Sequence, residues 1–185
     1  VDALVSVGIS WVDITQHTQN IVGYELLNGE QVPLYQCLKP GTAGIAGAIM
    51  QRYHPQRVEA VPHVICSGFT IRQTAEFLAE LAYLGIRNVM ALRGDPLKDL
   101  TKGGRPQQLL RFHAERFGHA HAGELIQQIS EMAQGNYVGA DEGIPVDFCI
   151  GGAWYPEGYV REDSTTAESL DDQCRWLLLK QESGA

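Results

Sequence analysis

Short apolar runs alternate along this chain with longer amphipathic stretches, which is the pattern of strands followed by helices. The clearest unit starts at Val61–Cys66 (VPHVIC), a strand-like run whose proline lies near its start, where a strand tolerates it. Thr70 and Gln73 have the spacing of a capping box, and Gly85 suits the end of the helix that follows. Ile86–Leu92 is again strand-like. We therefore predict a β-α-β unit with a right-handed crossover.

The same alternation continues on both sides of this unit. Two further strands are predicted, at Trp11–Thr15 and at Val146–Gly151. The other predicted helices are Val1–Val7, Pro40–Tyr53, Ala122–Ala133 and Ser164–Glu182. The fold class is therefore α/β, with about four parallel βα units in one domain of residues 1–185.

Two connections are long, and both leave from the carboxyl end of a strand. Tyr24–Tyr35 alternates loosely around Asn28-Gly29, a pair that favours a type I′ turn, so a β-hairpin is predicted there. The second connection, Pro96–His121, holds a basic, glycine-containing loop and a possible short helix at Pro106–Phe117. Extensions at this edge of a parallel sheet usually build a functional site.

Composition narrows the class of protein. The formal net charge of −8 argues against a general nucleic-acid binder, whose surface would be basic. No apolar run is long enough to cross a bilayer, and the start of the chain does not resemble a signal peptide. The four cysteines form no CxxC pair, which favours a reducing cytoplasm, and Cys66 and Cys149 are expected to act as small buried hydrophobes.

Candidate chemistry lies where the strands end, because parallel α/β sheets bind ligands at their carboxyl ends. In Arg93-Gly94-Asp95 an apolar strand ends in a cation, a glycine and an anion. The glycine lets a flat ligand approach the backbone, the arginine suits a phosphate, and the aspartate suits the N–H groups of a heterocycle. A surface ion pair is the alternative interpretation. The other strand ends are Thr15-Gln16-His17, Cys66-Ser67-Gly68 and Trp154-Tyr155.

Three other groups of residues have structural as well as functional interpretations. His63 is either a hydrogen-bonded core residue or a ligand contact. Trp154 and Tyr155 either stack on a cofactor ring or close the rim of a barrel. His119 and His121 have the spacing of half a metal site, but no further ligand is near in sequence, so no metal is predicted. The chain also lacks the GxGxxG, P-loop and GxSxG motifs.

A family resemblance covers almost the whole chain. The stretch from Pro62 to Pro96, PHVICSGFT…LGIRNVMALRGDP, resembles the core signature of methylenetetrahydrofolate reductases. WVDITQH, KPGTAGIAGAI, GHAHAGEL and DFCIGGAWYPEGY match that family in the same order. The resemblance implies a (β/α)8 TIM barrel that binds FAD at its C-terminal face. It also implies hydride transfer from NAD(P)H through the flavin to 5,10-methylenetetrahydrofolate, giving 5-methyltetrahydrofolate.

The resemblance also implies roles for individual residues. Thr15 matches a flavin- and nicotinamide-contacting threonine, and His63 matches an FAD-contacting histidine. Asp95 matches a residue that faces both the flavin and the folate pterin, where its charge disfavours the reduced anionic flavin. Lys180 matches a lysine near the FAD phosphates. Further FAD contacts are implied for Arg93, Gly94, Ala122 and Tyr155.

Some family features are missing or changed. The family's proton-donating glutamate would precede Val1 and its folate-binding glutamines would follow Ala185, so we expect strands 2–5 of a partial barrel, inactive by itself. Tyr159 replaces a usual histidine, and Gln173 replaces a typical aspartate. Both changes fall at the adenosine-diphosphate end of the FAD site that the resemblance implies.

Three functional hypotheses remain. The first is the reductase, expected to be a cytoplasmic homo-oligomer when full length. The second is a non-catalytic barrel relative that binds a flavin, a pterin or a protein partner. The third is a folate-using barrel methyltransferase, which shares the pterin chemistry but would not require flavin.

Overall fold

Four short parallel strands form a sheet, and helices pack against one face of that sheet. The computed structural model describes residues 1–37, 39–53, 58–101, 107–108, 112, 114–139, 143–158 and 169–185. In chain order the elements are α1 (Asp2–Ser6), β1 (Trp11–Ile14), β2 (Asn20–Leu27), β3 (Glu30–Gln36), α2 (Thr42–Arg52), β4 (Glu59–Ile65), α3 (Ile71–Tyr83), β5 (Asn88–Leu92), β6 (Lys98–Asp99), β7 (Gln107–Gln108), α4 (Ala122–Ala133), β8 (Cys149–Gly152) and α5 (Leu170–Glu182).

The main sheet has the strand order β1-β4-β5-β8. Every neighbouring pair is parallel, with registers that include Asp13 opposite Val61 and His63 opposite Met90. A helix lies in each connection between consecutive strands of this sheet. The predicted α/β class and its four parallel strands are therefore confirmed.

The two faces of the main sheet differ in their environment. Alternate residues of the central strands, such as Val64 and Ala91, are buried against α2, α3 and α4. The residues between them, such as His63 and Met90, lie on the opposite face and are partly exposed. This difference follows from the two-residue period of a strand. The largest fully buried side chains include Leu78, Leu81, Ile86, Leu125, Ile126, Ile129 and Met132.

Local sequence signals explain both ends of α3. The Thr70 side chain accepts a hydrogen bond from the Gln73 backbone N–H, and the Gln73 side chain accepts one from the Thr70 backbone N–H. Gly85 has a φ of +77°, the left-handed conformation that glycine adopts at low cost just after a helix. The predicted capping box and the predicted helix stop are both confirmed.

The second sheet is built from the two long connections, in the order β3-β2-β6-β7. Strands β2 and β3 form the predicted hairpin, with positive φ at Asn28 (53°) and Gly29 (87°), as a type I′ turn requires. Strand β6 pairs parallel to β2, with Asn20 opposite Lys98 and Ile21 opposite Asp99. The connections that follow β1 and β5 are therefore joined through backbone hydrogen bonds.

Helix α5 is shorter than predicted in the part of the chain that the structure describes. It begins after Ser169, whose side chain caps the helix with Asp172, whereas residues 164–168 of the predicted helix lie outside the described residues. Its buried residue is Gln173, while Trp176 and its neighbouring leucines are exposed. None of the helices found among the described residues combines the length and apolar character needed to cross a membrane.

Three expectations about local structure were wrong. Strand β4 begins at Glu59, so Pro62 lies inside it, where pairing with β1 ends and pairing with β5 begins at the next residue. Cys149 is exposed, because its neighbours Phe148 and Ile150 point to the helix-covered face and leave it on the other one. Gln107–Gln108 is a strand within the stretch predicted as a short helix, since it pairs antiparallel with β6.

The turn after β5 depends on Gly94. Its φ is +83°, and a Cβ placed there would lie 3.0 Å from Ser67 Cβ and 3.2 Å from Ile65 Cβ. Two constraints therefore act together, namely a backbone conformation that L-residues rarely adopt and close packing against the end of β4.

Gly94→Ala is therefore predicted to lower the free energy of unfolding by about 1–3 kcal/mol. Gly44→Ala is the matched control, because Gly44 lies inside α2 with open space around it and alanine favours a helix by about 0.5–1 kcal/mol. Urea unfolding of the two variants should give shifts of opposite sign. A Gly94→Ala variant as stable as the parent would contradict this account of the turn.

Candidate active site at the carboxyl ends of the strands

The carboxyl ends of β4 and β5 remain hydrogen-bonded beyond the strands themselves. The Cys66 N–H donates to the Leu92 carbonyl at 3.1 Å, and the Ser67 N–H donates to the Arg93 carbonyl at 3.1 Å. Two of the four strand ends that the sequence singled out, those at Cys66–Gly68 and Arg93–Asp95, are therefore direct neighbours. Because all four strands are parallel, the ends of β1 and β8 lie on the same edge of the sheet.

Ser67 fixes the backbone at Asp95. Its hydroxyl donates a hydrogen bond to the Asp95 carbonyl at 2.8 Å, and Ser67 itself is buried. The Asp95 residue is nevertheless exposed. The main chain is thus held to the adjacent strand end while the carboxylate remains accessible to a ligand.

Arg93 lies between the strand end and the loop that precedes α4. It is partly buried, and its guanidinium carbon is 5.1 Å from the centroid of the Phe112 ring, which is a cation–π distance. This arrangement differs from a simple surface ion pair with Asp95, because the guanidinium rests on an aromatic face. The contact with Phe112 keeps the Arg93 guanidinium near the strand ends.

His63 lies on the face of the main sheet that the helices of the described residues do not cover. Burial lowers the pKa of His63, and the nearby Asp13 carboxylate opposes that shift by favouring the charged form. In the described part of the chain the imidazole makes no hydrogen bond, which does not fit a hydrogen-bonded core histidine. The ring is therefore a mainly neutral group near pH 7 that has hydrogen-bonding capacity to spare.

Thr15 is close in register to His63. The last paired residues of β1 and β4 are Ile14 and Pro62, so Thr15 and His63 each follow that pair by one residue. Thr15 is exposed. The register therefore brings Thr15 to the level of the histidine on the neighbouring strand.

The end of β8 brings together two more of the predicted site residues. The Lys180 ammonium donates to the Ala153 carbonyl at 2.5 Å, and a Cβ on Gly152 would lie 3.4 Å from Lys180 Cδ. Burial lowers the pKa of Lys180. Tyr155, two residues beyond Ala153, is 42% exposed and therefore accessible. A half-buried cation and an accessible aromatic ring thus flank this strand end.

Ala122, Gln173 and Tyr159 are the remaining residues that the family resemblance singled out. Ala122 is the first residue of α4, the helix that follows β5, and it is partly buried. Gln173 is 4% exposed, so in this conformation its amide is directed into the protein rather than toward solvent. Tyr159 lies outside the described residues.

His119 has a structural role. Its Nε2 is 2.6 Å from Gln128 Oε1, and the Gln128 amide donates to the Ile71 carbonyl at 2.8 Å. This chain of contacts connects α4 to the start of α3. Among the described residues no group of three or more potential ligands is arranged to hold a metal ion.

Asp99, which is fully buried in the second sheet, was not predicted from the sequence as a functional residue. Its carboxylate accepts hydrogen bonds from the Tyr24 hydroxyl and from the backbone and side chain of Thr101. The available signal was an acidic residue next to Leu100 within a polar loop. That signal is weak, because Tyr24 lies 75 residues away along the chain.

Comparisons with known proteins point to the same family as the sequence motifs at the strand ends. The sequence model of a family described as methylenetetrahydrofolate reductase matches residues 36–185. Methylenetetrahydrofolate reductase 1 of Schizosaccharomyces pombe (strain 972 / ATCC 24843) is 30% identical over 146 residues, which are 78% of this chain and 19% of that protein. Methylenetetrahydrofolate reductase 2 of the same organism is 29% identical over 169 residues, which are 86% of this chain and 23% of that protein.

The chain spans about a fifth of the length of these curated relatives. The family match nevertheless covers most of the chain and includes all the strand ends described above except that of β1. The chain therefore belongs to the methylenetetrahydrofolate reductase family.

Proposed function

We propose that this chain supplies part of the active site of a flavin-dependent enzyme that reduces 5,10-methylenetetrahydrofolate to 5-methyltetrahydrofolate with NAD(P)H. The observation that carries the proposal is the turn after β5. There an exposed aspartate, held through its main chain by Ser67, follows an arginine on the shared edge of a parallel sheet. Family membership supports folate as the substrate class.

The residues present fit an FAD. Lys180 is a half-buried cation whose pKa is lowered by burial, so an adjacent phosphate would stabilise its charged form. Arg93 is a second cation at the same edge, and its planar guanidinium suits a phosphate. The remaining proposed contacts are Thr15, His63, Gly94, Asp95, Ala122 and Tyr155.

Bound FAD would supply the hydride chemistry that side chains lack. The protein would orient the reactants and provide charge. Asp95 would accept hydrogen bonds from the amino and ring N–H groups of the pterin, and its accessible carboxylate is suited to that role. His63, neutral near pH 7, and Thr15 would contact the flavin from the neighbouring strands.

We further propose that the four parallel strands are strands 2–5 of a (β/α)8 barrel. The helix-free face of the main sheet, which carries His63 and Met90, would be the barrel interior. Strands β1 and β8 each have one neighbour among the described strands, so each has an edge at which a sheet can continue. Residues 1–185 would then be one part of a single barrel domain in a cytoplasmic homo-oligomer.

Asp95→Asn is predicted to separate the two half-reactions of the complete enzyme. Folate turnover should fall by roughly 10- to 100-fold, since a hydrogen bond to a charged group contributes about 1.5–3 kcal/mol. Flavin reduction by NAD(P)H should change by less than about threefold, which corresponds to about 0.6 kcal/mol. Stopped-flow absorbance measures both rates, and Glu80→Gln on the outer helix α3 is the control. Equal losses in both half-reactions would refute the role given to Asp95.

Arg93→Ala is predicted to weaken FAD binding by roughly 10- to 100-fold, because it removes a charged donor from the proposed phosphate contacts. Flavin absorbance of the purified protein and an FAD titration measure the loss. Arg72→Ala is the matched control, since its side chain is 84% exposed on α3. An unchanged flavin content in Arg93→Ala would count against the assignment. A parent protein that binds no flavin would favour a non-catalytic or a methyltransferase relative.

A further inference from the structure

Asp99 is a buried carboxylate that the proposed chemistry does not use. It is 0% exposed. One carboxylate oxygen accepts the Tyr24 hydroxyl at 2.9 Å, and the other accepts the Thr101 N–H at 2.9 Å and the Thr101 hydroxyl at 2.5 Å. A carboxylate removed from water in this way requires such partners, because an unpaired buried charge is strongly unfavourable.

The position of Asp99 connects it to the candidate site. It follows Asp95 by four residues, and Pro96, between them, is buried and has a ring-restricted φ. At Asp99 the chain pairs with Ile21 of β2, and the Leu100 N–H donates to the Ile21 carbonyl at 2.8 Å. The segment that leaves Asp95 is therefore attached to the hairpin within a few residues.

Asp95 thus lies between two attachments of different kinds. The first is the hydrogen bond that the Asp95 carbonyl accepts from the Ser67 hydroxyl, in the turn that follows β4 of the main sheet. The second, beyond Pro96, is the set of hydrogen bonds that Asp99 of the second sheet accepts from Tyr24 and Thr101. Two fixed points so close along the chain leave the intervening backbone little freedom.

Tyr24 adds a side-chain hydrogen bond to the backbone pairing between the neighbouring strands β2 and β6. It lies in the hairpin strand β2, and its hydroxyl bonds to a carboxylate 75 residues later in the chain. The hydrogen bond to Asp99 raises the pKa of Tyr24, so the phenol remains a protonated donor near neutral pH. Thr101, by contrast, contacts Asp99 from only two residues away and ties the carboxylate to its own loop.

We propose that Asp99 and Tyr24 are positioning residues that set the place of the Asp95 carboxylate and thereby control reduction of the folate. This inference rests on the proposed function, since it assigns to Asp95 the contact with the pterin. Neither residue needs to touch a substrate. A displacement of about 1 Å at a reacting group can cost about 100-fold in rate, so a small shift of this segment would be measurable.

Tyr24→Phe in the complete, FAD-loaded enzyme tests the proposal, because it removes one hydrogen bond and keeps the ring. We expect folate turnover to fall about tenfold, while the rate of flavin reduction by NAD(P)H stays within about twofold. Tyr35→Phe is the matched control. It makes the same chemical change in the same hairpin, at a hydroxyl without a hydrogen bond to any residue that the structure describes. It should leave both rates within about twofold.

A double-mutant cycle distinguishes positioning from a general structural role. If Tyr24 acts through Asp95, Tyr24→Phe should cause almost no further loss of folate turnover in an Asp95→Asn background. Asp99→Asn should show the same non-additivity with a larger single effect. Equal losses in both half-reactions, or full additivity with Asp95→Asn, would overturn the proposal.

Hydrogen exchange separates failure of this inference from failure of the proposed function. Exchange of the Leu100 amide, which bonds to Ile21, should speed up in Tyr24→Phe and not in Tyr35→Phe. A parent enzyme without either half-reaction would overturn the proposed function and the control of folate reduction with it. In that case the exchange rate of the Leu100 amide alone would decide whether Tyr24 holds this segment in place.

Discussion

The backbone hydrogen bonds that join β1, β4, β5 and β8 all run between parallel strands, and this shared direction determines where chemistry is possible. It brings four carboxyl ends to one edge and sends each connecting helix back along the sheet. The helices bury one face, so the polar residues that a site needs collect at the edge and on the other face. The register places Ser67 beside Arg93, and the Ser67 hydroxyl bonds to the Asp95 carbonyl, although Ser67 and Asp95 are 28 residues apart in the sequence.

The second sheet adds a different kind of order. Its strands come from connections rather than from the repeating βα pattern. The few residues after Asp95 are one of its links to the main sheet, and the segment between β1 and β2 is another. The main sheet is stabilised chiefly by apolar burial, whereas the junction between β2 and β6 contains a fully buried carboxylate with directional partners. Apolar packing tolerates small displacements of its members, but a set of short hydrogen bonds to one carboxylate does not.

Much of this architecture follows from local signals in the sequence. The capping box at Thr70, the glycine at 85 and the Asn28-Gly29 turn each act within a few residues, and each was predicted correctly. The pairing of β6 with β2 was not predicted, because it depends on contacts between distant segments. The burial of Asp99 was missed for the same reason, whereas Cys149 is exposed because it lies on the face of β8 opposite Phe148 and Ile150. The strand-end rule still located Arg93 and Asp95, since it needs only the end of an apolar run.

The bond from Ser67 to position 95 has a consequence for how such a site changes over time. The Ser67 hydroxyl donates to the main-chain carbonyl of residue 95 and not to its side chain, so this hydrogen bond does not depend on which residue occupies position 95. The position of the backbone is thereby independent of the side chain at 95. A substitution at 95 can therefore replace one functional group by another while the hydrogen bond that holds the turn is kept. New ligand specificities can evolve at this edge of the sheet without a change of fold.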